Sequence, residues 1–177
     1  INDNHKLALR YNKTKNTTWY SPNGNSCDDG MRNKAYNRAS SESQPFSNNM
    51  YSQQNDVTSI AAELNSRFGD KISNQILATY SFINDQRGTN SDIFPHIDIC
   101  QGYDAAGKFT NLPATSLGYE LFTYLNGVTN KIFNVADNFT YYAGDHKVTA
   151  GLSYEHMFAD NSYIRNGTGY YRFASID

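Results

Sequence analysis

In the stretch Thr58-Ser59-Ile60-Ala61-Ala62-Glu63-Leu64-Asn65-Ser66-Arg67-Phe68, apolar and polar side chains alternate. Successive side chains of an extended chain point to opposite sides. One side then carries Ile60, Ala62, Leu64 and Phe68, and the other carries Glu63, Asn65 and Arg67. This period of two predicts a β-strand with one apolar face and one face in contact with water.

The same alternation recurs towards both ends of the chain. The apolar side chains that share a side are Leu7, Leu9 and Tyr11 near the start, and Val148, Ala150, Leu152 and Tyr154 near the end. We extend each alternating segment to the nearest residues that interrupt a strand. The pattern then predicts antiparallel strands at about Lys6–Thr18, Met50–Phe68, Ile72–Asp85, Gly118–Tyr142 and Lys147–Asp160. The tail Tyr170–Phe173 is a candidate start of a sixth strand.

The fourth predicted strand, Gly118–Tyr142, has an ambiguous middle. The residues Asn126–Asn130 could form a bulge, or a loop that joins two strands of a soluble sheet. We interpret them as a bulge within one long strand, because bulges accommodate an extra residue without ending a strand.

The connections between these strands fall into two lengths. Phe68–Ile72 and Ala143–Lys147 each join two strands through a few residues with the Gly and Asp that tight hairpins favour. Trp19–Asn49 and Asp85–Leu117 are long, and a compact soluble domain rarely has two structureless loops of such length. Short turns at one end and long loops at the other are typical of bacterial outer-membrane barrels. The connections therefore predict an all-β transmembrane barrel with periplasmic turns and extracellular loops.

The composition is compatible with this prediction. The 177 residues include 14 Tyr and 10 Phe, 18% are charged, and the net charge is −2, which gives no basic surface for nucleic acid. The sequence has no apolar run of about 20 residues, which excludes a membrane-spanning helix, whereas a membrane strand needs only about 10 alternating residues. A Tyr-rich, polar composition suits barrel strands with aromatic girdles, and it also suits a secreted β-sandwich.

We expect the chain to be a fragment of one barrel domain that covers residues 1–177. It begins at Ile1 without an initiator Met and ends at Asp177 in mid-pattern. The predicted strands are too few to close a membrane barrel, for which about eight are the minimum. Partner strands from the rest of the protein are therefore expected.

Some segments of the sequence are distinctive. They are residues 57–71 (VTSIAAELNSRFGDK), 74–81 (NQILATYS), 94–99 (FPHIDI), 118–124 (GYELFTY) and 137–155 (DNFTYYAGDHKVTAGLSYE). They resemble the β-barrel of TonB-dependent receptors of Bacteroidetes, and the last segment is the most specific. The resemblance covers most of the chain and is weakest over residues 19–47. Within that family, the sequence is most similar to the Oar-like receptors, which carry a carboxypeptidase-regulatory-like domain before the plug.

The resemblance implies a receptor in the bacterial outer membrane that takes up an external substrate through a large plugged barrel. Its implied partners are the lipid bilayer with its lipopolysaccharide, TonB acting through a plug that is not visible in this sequence, an unidentified transported ligand and, as a further candidate, a surface lipoprotein. The shared motifs are motifs of shape rather than of catalysis. No catalytic, cofactor-binding or metal-binding residue is therefore assigned, and no enzyme activity is expected.

The titratable side chains show no strong site motif. His5, His96, His146 and His156 are spread too widely for the paired spacing of a zinc motif. We interpret His146 as a solvated residue of a tight turn. His96, which follows Pro95 in a predicted loop, is a minor candidate for ligand contact.

Two further candidates lie in the long loops. Asp28-Asp29-Gly30 could seed a cation site but lacks the spaced oxygen ligands of a calcium loop, so a plain acidic turn is the preferred interpretation. Cys27 and Cys100 are too few for a structural zinc site. They could pair in an oxidising compartment, although an unpaired arrangement is preferred.

Aromatic residues cluster near the ends of the predicted strands. They are Tyr119, Phe122, Tyr124, Phe133, Phe139, Tyr141 and Tyr142. We interpret them as an aromatic belt at the membrane interface, with a sugar-stacking platform as the alternative. Asp137 interrupts this apolar row, so either a bulge turns it inward or it lies near the lipid headgroups.

These patterns assign a face to each strand. Val148, Ala150, Leu152 and Tyr154 would face lipid, and the lumen would be lined by Glu63, Arg67, Gln75, Thr79, Ser153 and Glu155. The loops Trp19–Asn49 and Asp85–Leu117 would then gate the barrel or bind the substrate. The alternatives are a secreted Tyr-rich β-sandwich that binds glycan and, as the weakest, a soluble β-fold hydrolase.

Overall fold

The computed structural model describes residues 3–22, 25–26, 34–35, 38–110 and 112–176. The chain is all-β, with one 3-10 turn at Ser47–Asn49 and no α-helix in the described ranges. Its strands are β1 His5–Tyr20, β2 Asn25–Ser26, β3 Lys34–Ala35, β4 Gln44–Pro45, β5 Tyr51–Phe68, β6 Ile72–Thr89, β7 His96–Cys100, β8 Pro113–Leu117, β9 Gly127–Ala143, β10 His146–Ser162 and β11 Tyr170–Phe173. No helix long and apolar enough to span a membrane occurs among the residues described.

The five longest strands form one sheet in the order β1-β5-β6-β9-β10. Arg67 N at the end of β5 donates to Asn4 O just before β1 at 2.8 Å, so these strands run antiparallel. Tyr142 N near the end of β9 likewise donates to Lys71 O just before β6 at 2.8 Å. Over the described residues the sheet is open, with β1 and β10 as its edge strands.

Both predicted hairpin turns are confirmed. Gly69 and Gly144 adopt the left-handed backbone conformation, at φ 62° and 56°, which glycine accepts without steric cost. The strand predictions for β1, β5, β6 and β10 are confirmed within a few residues. Long uninterrupted alternation therefore located these strands correctly.

The chain divides into two compact units. The first unit consists of Ile1–Asn16, Asn55–Asn84 and Val128–Asp160, and the second consists of Thr17–Gln54, Asp85–Gly127 and Asn161–Asp177. The second unit contains a four-stranded sheet in the order β11-β7-β8-β4. In that sheet β7 and β8 are antiparallel, and β11 and β4 pair in parallel with β7 and β8 respectively.

One face of the first unit's sheet is apolar and exposed. Side chains alternate along each strand, and the cross-strand contacts Thr140–Thr149 and Asn134–Glu155 fix the register of β9 against β10. The exposed apolar side chains of this face are Leu7, Leu9, Tyr11, Ile60, Ile76, Tyr80, Phe133, Phe139, Tyr141, Val148, Leu152 and Tyr154. Leu9 is 71% exposed and Leu152 is 78% exposed, so no described layer covers this face.

The prediction of one strand over Gly118–Tyr142 is wrong. β8 ends at Leu117 and β9 begins at Gly127, and the two strands belong to different sheets. Gly118 has φ 87°, and a side-chain Cβ there would collide with the Pro95 carbonyl, so the chain turns sharply at this glycine. The break lies before Asn126–Asn130, most of which is regular strand.

The prediction of two structureless loops is also wrong. Asp85–Leu117 contains the end of β6 together with β7 and β8, and the described part of Trp19–Asn49 contains β2, β3 and β4. β7 follows Pro95, and β8 begins at Pro113, a position where proline does not interrupt the ladder. Tyr170–Phe173 is a strand as predicted, but it pairs with β7 rather than extending the large sheet.

Candidate functional site

The other face of the first unit's sheet is polar and forms a groove of about 630 Å³. Its lining comes from all five long strands and the residues just before β1. The lining residues are Asp3, Asn4, Lys6, Asn65, Ser66, Arg67, Ser73, Asn74, Gln75, Asn138, Thr140, Tyr142, Lys147 and Thr149. The groove therefore extends across all five strands of the first unit's sheet.

Glu63 is the centre of a hydrogen-bond cluster on this polar face. Its Oε1 accepts hydrogen bonds from Gln75 Nε2 at 2.8 Å and from Asn65 Nδ2 at 2.9 Å. Its Oε2 lies 3.7 Å from Arg10 Nη2 on β1. The cluster joins three strands through side chains, and it brings together two of the residues predicted to line a lumen.

The second unit has a buried polar centre at Asp98, on β7. Arg38 donates to both carboxylate oxygens, with Nε 3.0 Å from Oδ1 and Nη2 2.8 Å from Oδ2. Ser116 Oγ donates to Oδ1 at 2.6 Å, and Tyr170 Oη donates to Oδ2 at 2.7 Å. Arg38 and Asp98 are both fully buried. A buried ion pair is stable only when hydrogen bonds saturate both partners, and this network supplies them.

The electrostatics of the network follow from its partners. Burial opposes ionisation of Asp98, but hydrogen bonds from His96 and Arg38 and the charge of Arg38 outweigh it, so the pKa of Asp98 is lowered. Burial and the negative charge of Asp98 raise the pKa of Tyr170. The stable state is therefore an ionised Asp98 facing a neutral Tyr170.

His96 extends the network and is buried within β7. Its Nε2 lies 3.1 Å from Asp98 Oδ1, and its Nδ1 lies 2.8 Å from Asn49 Nδ2. Because the carboxylate can only accept, Nε2 donates its proton to Asp98, while Nδ1 contacts both the Asn49 amide and, at 3.1 Å, the Tyr119 carbonyl oxygen. The prediction that His96 lies in a loop is therefore wrong. Because its side chain is buried, it is not accessible to a ligand.

A second buried carboxylate, Glu120, anchors an aromatic stack. Its Oε2 accepts hydrogen bonds from Arg87 Nη2 at 3.0 Å and from Thr123 Oγ1 at 2.6 Å. The Arg87 guanidinium lies 3.8 Å from the centroid of the Tyr51 ring. Tyr51 in turn stacks on Tyr20, with centroids 5.2 Å apart and planes 19° apart. The sequence did not indicate this stack, because its members come from three separate strands and a turn.

The other predicted site residues remain scattered. His146 is exposed where β10 begins, directly after the turn at Gly144-Asp145. Cys100 is buried at the end of β7, whereas Cys27 and Asp28-Asp29-Gly30 lie outside the described residues. No group of three or more His, Cys, Asp or Glu that could hold a metal ion forms within the part of the chain that the structure describes.

The predicted aromatic cluster is divided between the two units. Tyr119, Phe122 and Tyr124 are half-buried in the second unit, where Tyr119 and Tyr124 meet edge to face at 6.1 Å between centroids. The remaining four lie exposed on β9. An edge-to-face pair does not offer the flat surface that a sugar-stacking platform requires.

Asp137 lies exposed on the apolar face of β9. The contacts Thr140–Thr149 and Asn134–Glu155 keep one register on both sides of it, so no bulge turns it to the polar face. The bulge alternative is therefore wrong.

Comparison with protein-family models, curated proteins and solved structures gives no match for this chain.

Proposed function

We propose that the first unit is part of the wall of an outer-membrane β-barrel, and that the chain belongs to a TonB-dependent receptor that takes up an external substrate. The observation that carries the proposal is a sheet with opposite faces of opposite character. Its apolar face is exposed, and its polar face is hydrogen-bonded and lines a groove. A barrel wall has this arrangement, with lipid outside and water inside.

The exposed apolar face favours lipid as its partner. Large exposed apolar patches are rare on soluble monomers and mark surfaces that meet a membrane or another protein. Burying a Val or Leu side chain contributes roughly 1.5–3 kcal/mol, so a row of strands with such side chains gains much by entering hydrocarbon. In a packed β-sandwich, the alternative, this face would lie against a second sheet. Over the described residues it is exposed, which supports the barrel proposal over the sandwich.

The edge strands place a requirement on the rest of the protein. Unpaired backbone groups are costly in hydrocarbon, so β1 and β10 need further strands beside them in a membrane. We expect these strands from other parts of the receptor. The proposed setting is the bacterial outer membrane, with lipopolysaccharide, a plug that couples to TonB, and a surface lipoprotein as candidate partners.

Substitutions on the two faces of β5 test the proposal. In the intact receptor, Leu64→Lys would place a charge against lipid, at a cost of roughly 2–4 kcal/mol near mid-bilayer. Glu63→Ala changes a neighbouring residue on the polar face, where water can replace the lost hydrogen bonds. We expect Leu64→Lys to abolish the heat-modifiable band of the folded receptor on a gel, and Glu63→Ala to leave it nearly unchanged. The reverse result would contradict the assignment of the faces, and retention of folding in both variants would contradict the membrane location.

A further inference from the structure

We propose that Asn166 is a modification site, at which the folded chain deamidates spontaneously and gains a negative charge in the turn before β11. Asn166 is followed by Gly167, and a glycine has no side chain to hinder attack by its own backbone nitrogen. The inference concerns only residues of the second unit, and it does not depend on the proposed function.

The reaction needs only water as a co-reactant. The backbone nitrogen of Gly167 attacks Cγ of Asn166, and the new C–N bond closes a succinimide ring. The side-chain nitrogen leaves as ammonia and takes up the proton of the Gly167 N–H. Water then opens the ring at either carbonyl. Opening on one side leaves aspartate, and opening on the other leaves isoaspartate, in which the backbone runs through the former side chain.

The side chain of Asn166 is not held in its present position. Its Oδ1 is buried but accepts no hydrogen bond from a described residue, so no such bond has to break when the side chain turns towards Gly167. Asn166 N donates to Leu121 O at 2.8 Å, and Gly169 N donates to Asn166 O at 2.9 Å. Neither bond uses the N–H of Gly167. Gly167 is exposed, so water can reach the reacting atoms.

The chain has two further Asn-Gly pairs, of which Asn23-Gly24 lies outside the described residues and Asn126-Gly127 is a matched reference. Asn126 Nδ2 donates to Phe122 O at 2.7 Å. Gly127 is buried at the start of β9, with the Gln86 side chain against it. The same dipeptide is therefore hydrogen-bonded and shielded from water at one place, and exposed without a side-chain hydrogen bond at the other.

A purely structural reason for both residue types is the competing explanation. Asn166 has φ 53°, a left-handed conformation that Asn tolerates better than most residues. A Cβ at position 167 would collide with the Tyr124 ring, so only glycine fits there. The turn thus requires an Asn-Gly pair for its shape. That requirement alone predicts a pair that stays intact in the folded chain.

The two products should differ in their effect on β11. Aspartate also tolerates the left-handed conformation, and it adds its charge next to Arg165, whose Nε is buried with no described hydrogen-bond partner. Isoaspartate adds a methylene to the backbone and displaces the Asn166 carbonyl that accepts from Gly169 N. We therefore expect isoaspartate, but not aspartate, to weaken the pairing of β11 with β7.

Peptide mapping of the full chain by mass spectrometry tests the proposal, after incubation in lauryldimethylamine oxide at mildly alkaline pH. Deamidation raises the mass of the peptide, and chromatography separates aspartate from isoaspartate. We expect Asn166 to convert at least about tenfold faster than Asn126, a barrier difference of about 1.4 kcal/mol that matches the hydrogen bond Asn126 must break. In guanidinium chloride the two sites should convert at similar rates, because both pairs are then exposed.

Two variants separate the charge from the lengthened backbone. Asn166→Gly accepts the left-handed conformation and cannot convert, so it is the control for hydrogen exchange in β11. Asn166→Asp supplies the charge without the extra methylene. We expect exchange in β11 to be faster in the isoaspartate fraction and close to the control in Asn166→Asp. If Asn166 converts as slowly as Asn126 in the folded chain, the modification site is overturned. If exchange in the isoaspartate fraction equals the control, its effect on β11 is overturned.

Discussion

Asp98 is the residue on which the second unit depends most directly. Its donors Arg38, Ser116 and Tyr170 come from three different segments of the chain, and a carboxylate at their meeting point satisfies all of them at once. Arg172 Nη1 also lies 3.6 Å from Asp98 Oδ2, which adds a second positive charge. The position therefore requires a negative charge, and a polar side chain of similar size cannot replace it.

Asp98→Asn tests this requirement. The substitution keeps the size of the side chain but leaves the buried Arg38 without its counter-charge, which costs about 3–5 kcal/mol in comparable buried pairs. We expect hydrogen exchange to speed up throughout β7 and β8. Asp92→Asn, at an exposed position before β7, is the control and should leave exchange unchanged. If hydrogen exchange in β7 and β8 is no faster in Asp98→Asn, the negative charge of Asp98 is not needed for the stability of the second unit.

The shifted pKa values of Asp98 and Tyr170 also predict how the stability of the second unit depends on pH. The lowered pKa of Asp98 means that its stabilising contribution is present above the ordinary Asp pKa of about 4 and is lost as the pH falls further. The raised pKa of Tyr170 means that its contribution is present below the ordinary Tyr pKa of about 10 and is lost as the pH rises further. We expect the denaturant midpoint of the second unit to be level near neutral pH and to fall at both extremes. In Tyr170→Phe the decrease of the denaturant midpoint at alkaline pH should be smaller. If the decrease is unchanged, ionisation of a group other than Tyr170 causes it.

At the scale of the elements, the turn between β8 and β9 depends on Gly118. Gly118→Ala combines a left-handed backbone with a collision against the Pro95 carbonyl, so the turn must open. Gly69→Ala shares the left-handed backbone but has open space around the new Cβ, so its cost is limited to about 1–2 kcal/mol of backbone strain. We expect Gly118→Ala to lower the stability of the second unit by clearly more than Gly69→Ala lowers that of the β5–β6 hairpin, as measured by limited proteolysis. If the two substitutions lower stability equally, the left-handed backbone conformation alone determines the loss, and the collision with Pro95 contributes nothing.

The strands that the sequence predicted differ physically from those it missed. β5 and β10 each contain several successive apolar side chains on one face, Ile60, Ala62 and Leu64 in β5 and Val148, Ala150, Leu152 and Tyr154 in β10, and that alternation is visible in the sequence. β7 is short, follows Pro95, and buries the polar residues His96 and Asp98. Polar residues in a short segment after a proline indicate a loop unless the residues that pair with them are known. The partners of Asp98 lie up to 72 residues away, so no local window contains the information. The same separation conceals the Tyr20–Tyr51–Arg87 stack.

At the scale of the whole molecule, Asp137 provides a test of whether the sheet lies in lipid. It is a charge on the apolar face of β9, where a membrane would penalise it by less than about 2–4 kcal/mol. In the intact receptor folded into vesicles, we expect Asp137→Leu to raise the urea midpoint. Glu155→Leu, on the polar face where Asn134 donates to the carboxylate at 3.0 Å, should not raise it. A raised midpoint for Glu155→Leu, or none for Asp137→Leu, would contradict the proposed orientation.

The spread of the Asp98 network along the chain has a consequence for the order of folding. The β5–β6 and β9–β10 hairpins are closed by turns of a few residues, so their ends meet at a small loss of chain entropy and their pairing is fast. Arg38 and Tyr170 must reach Asp98 across 60 and 72 residues, so we expect their contacts with Asp98 to form late in folding. Interactions that form after the transition state slow unfolding and leave the folding rate almost unchanged. We therefore expect the network to slow the unfolding of the second unit and so to prolong the lifetime of its folded state.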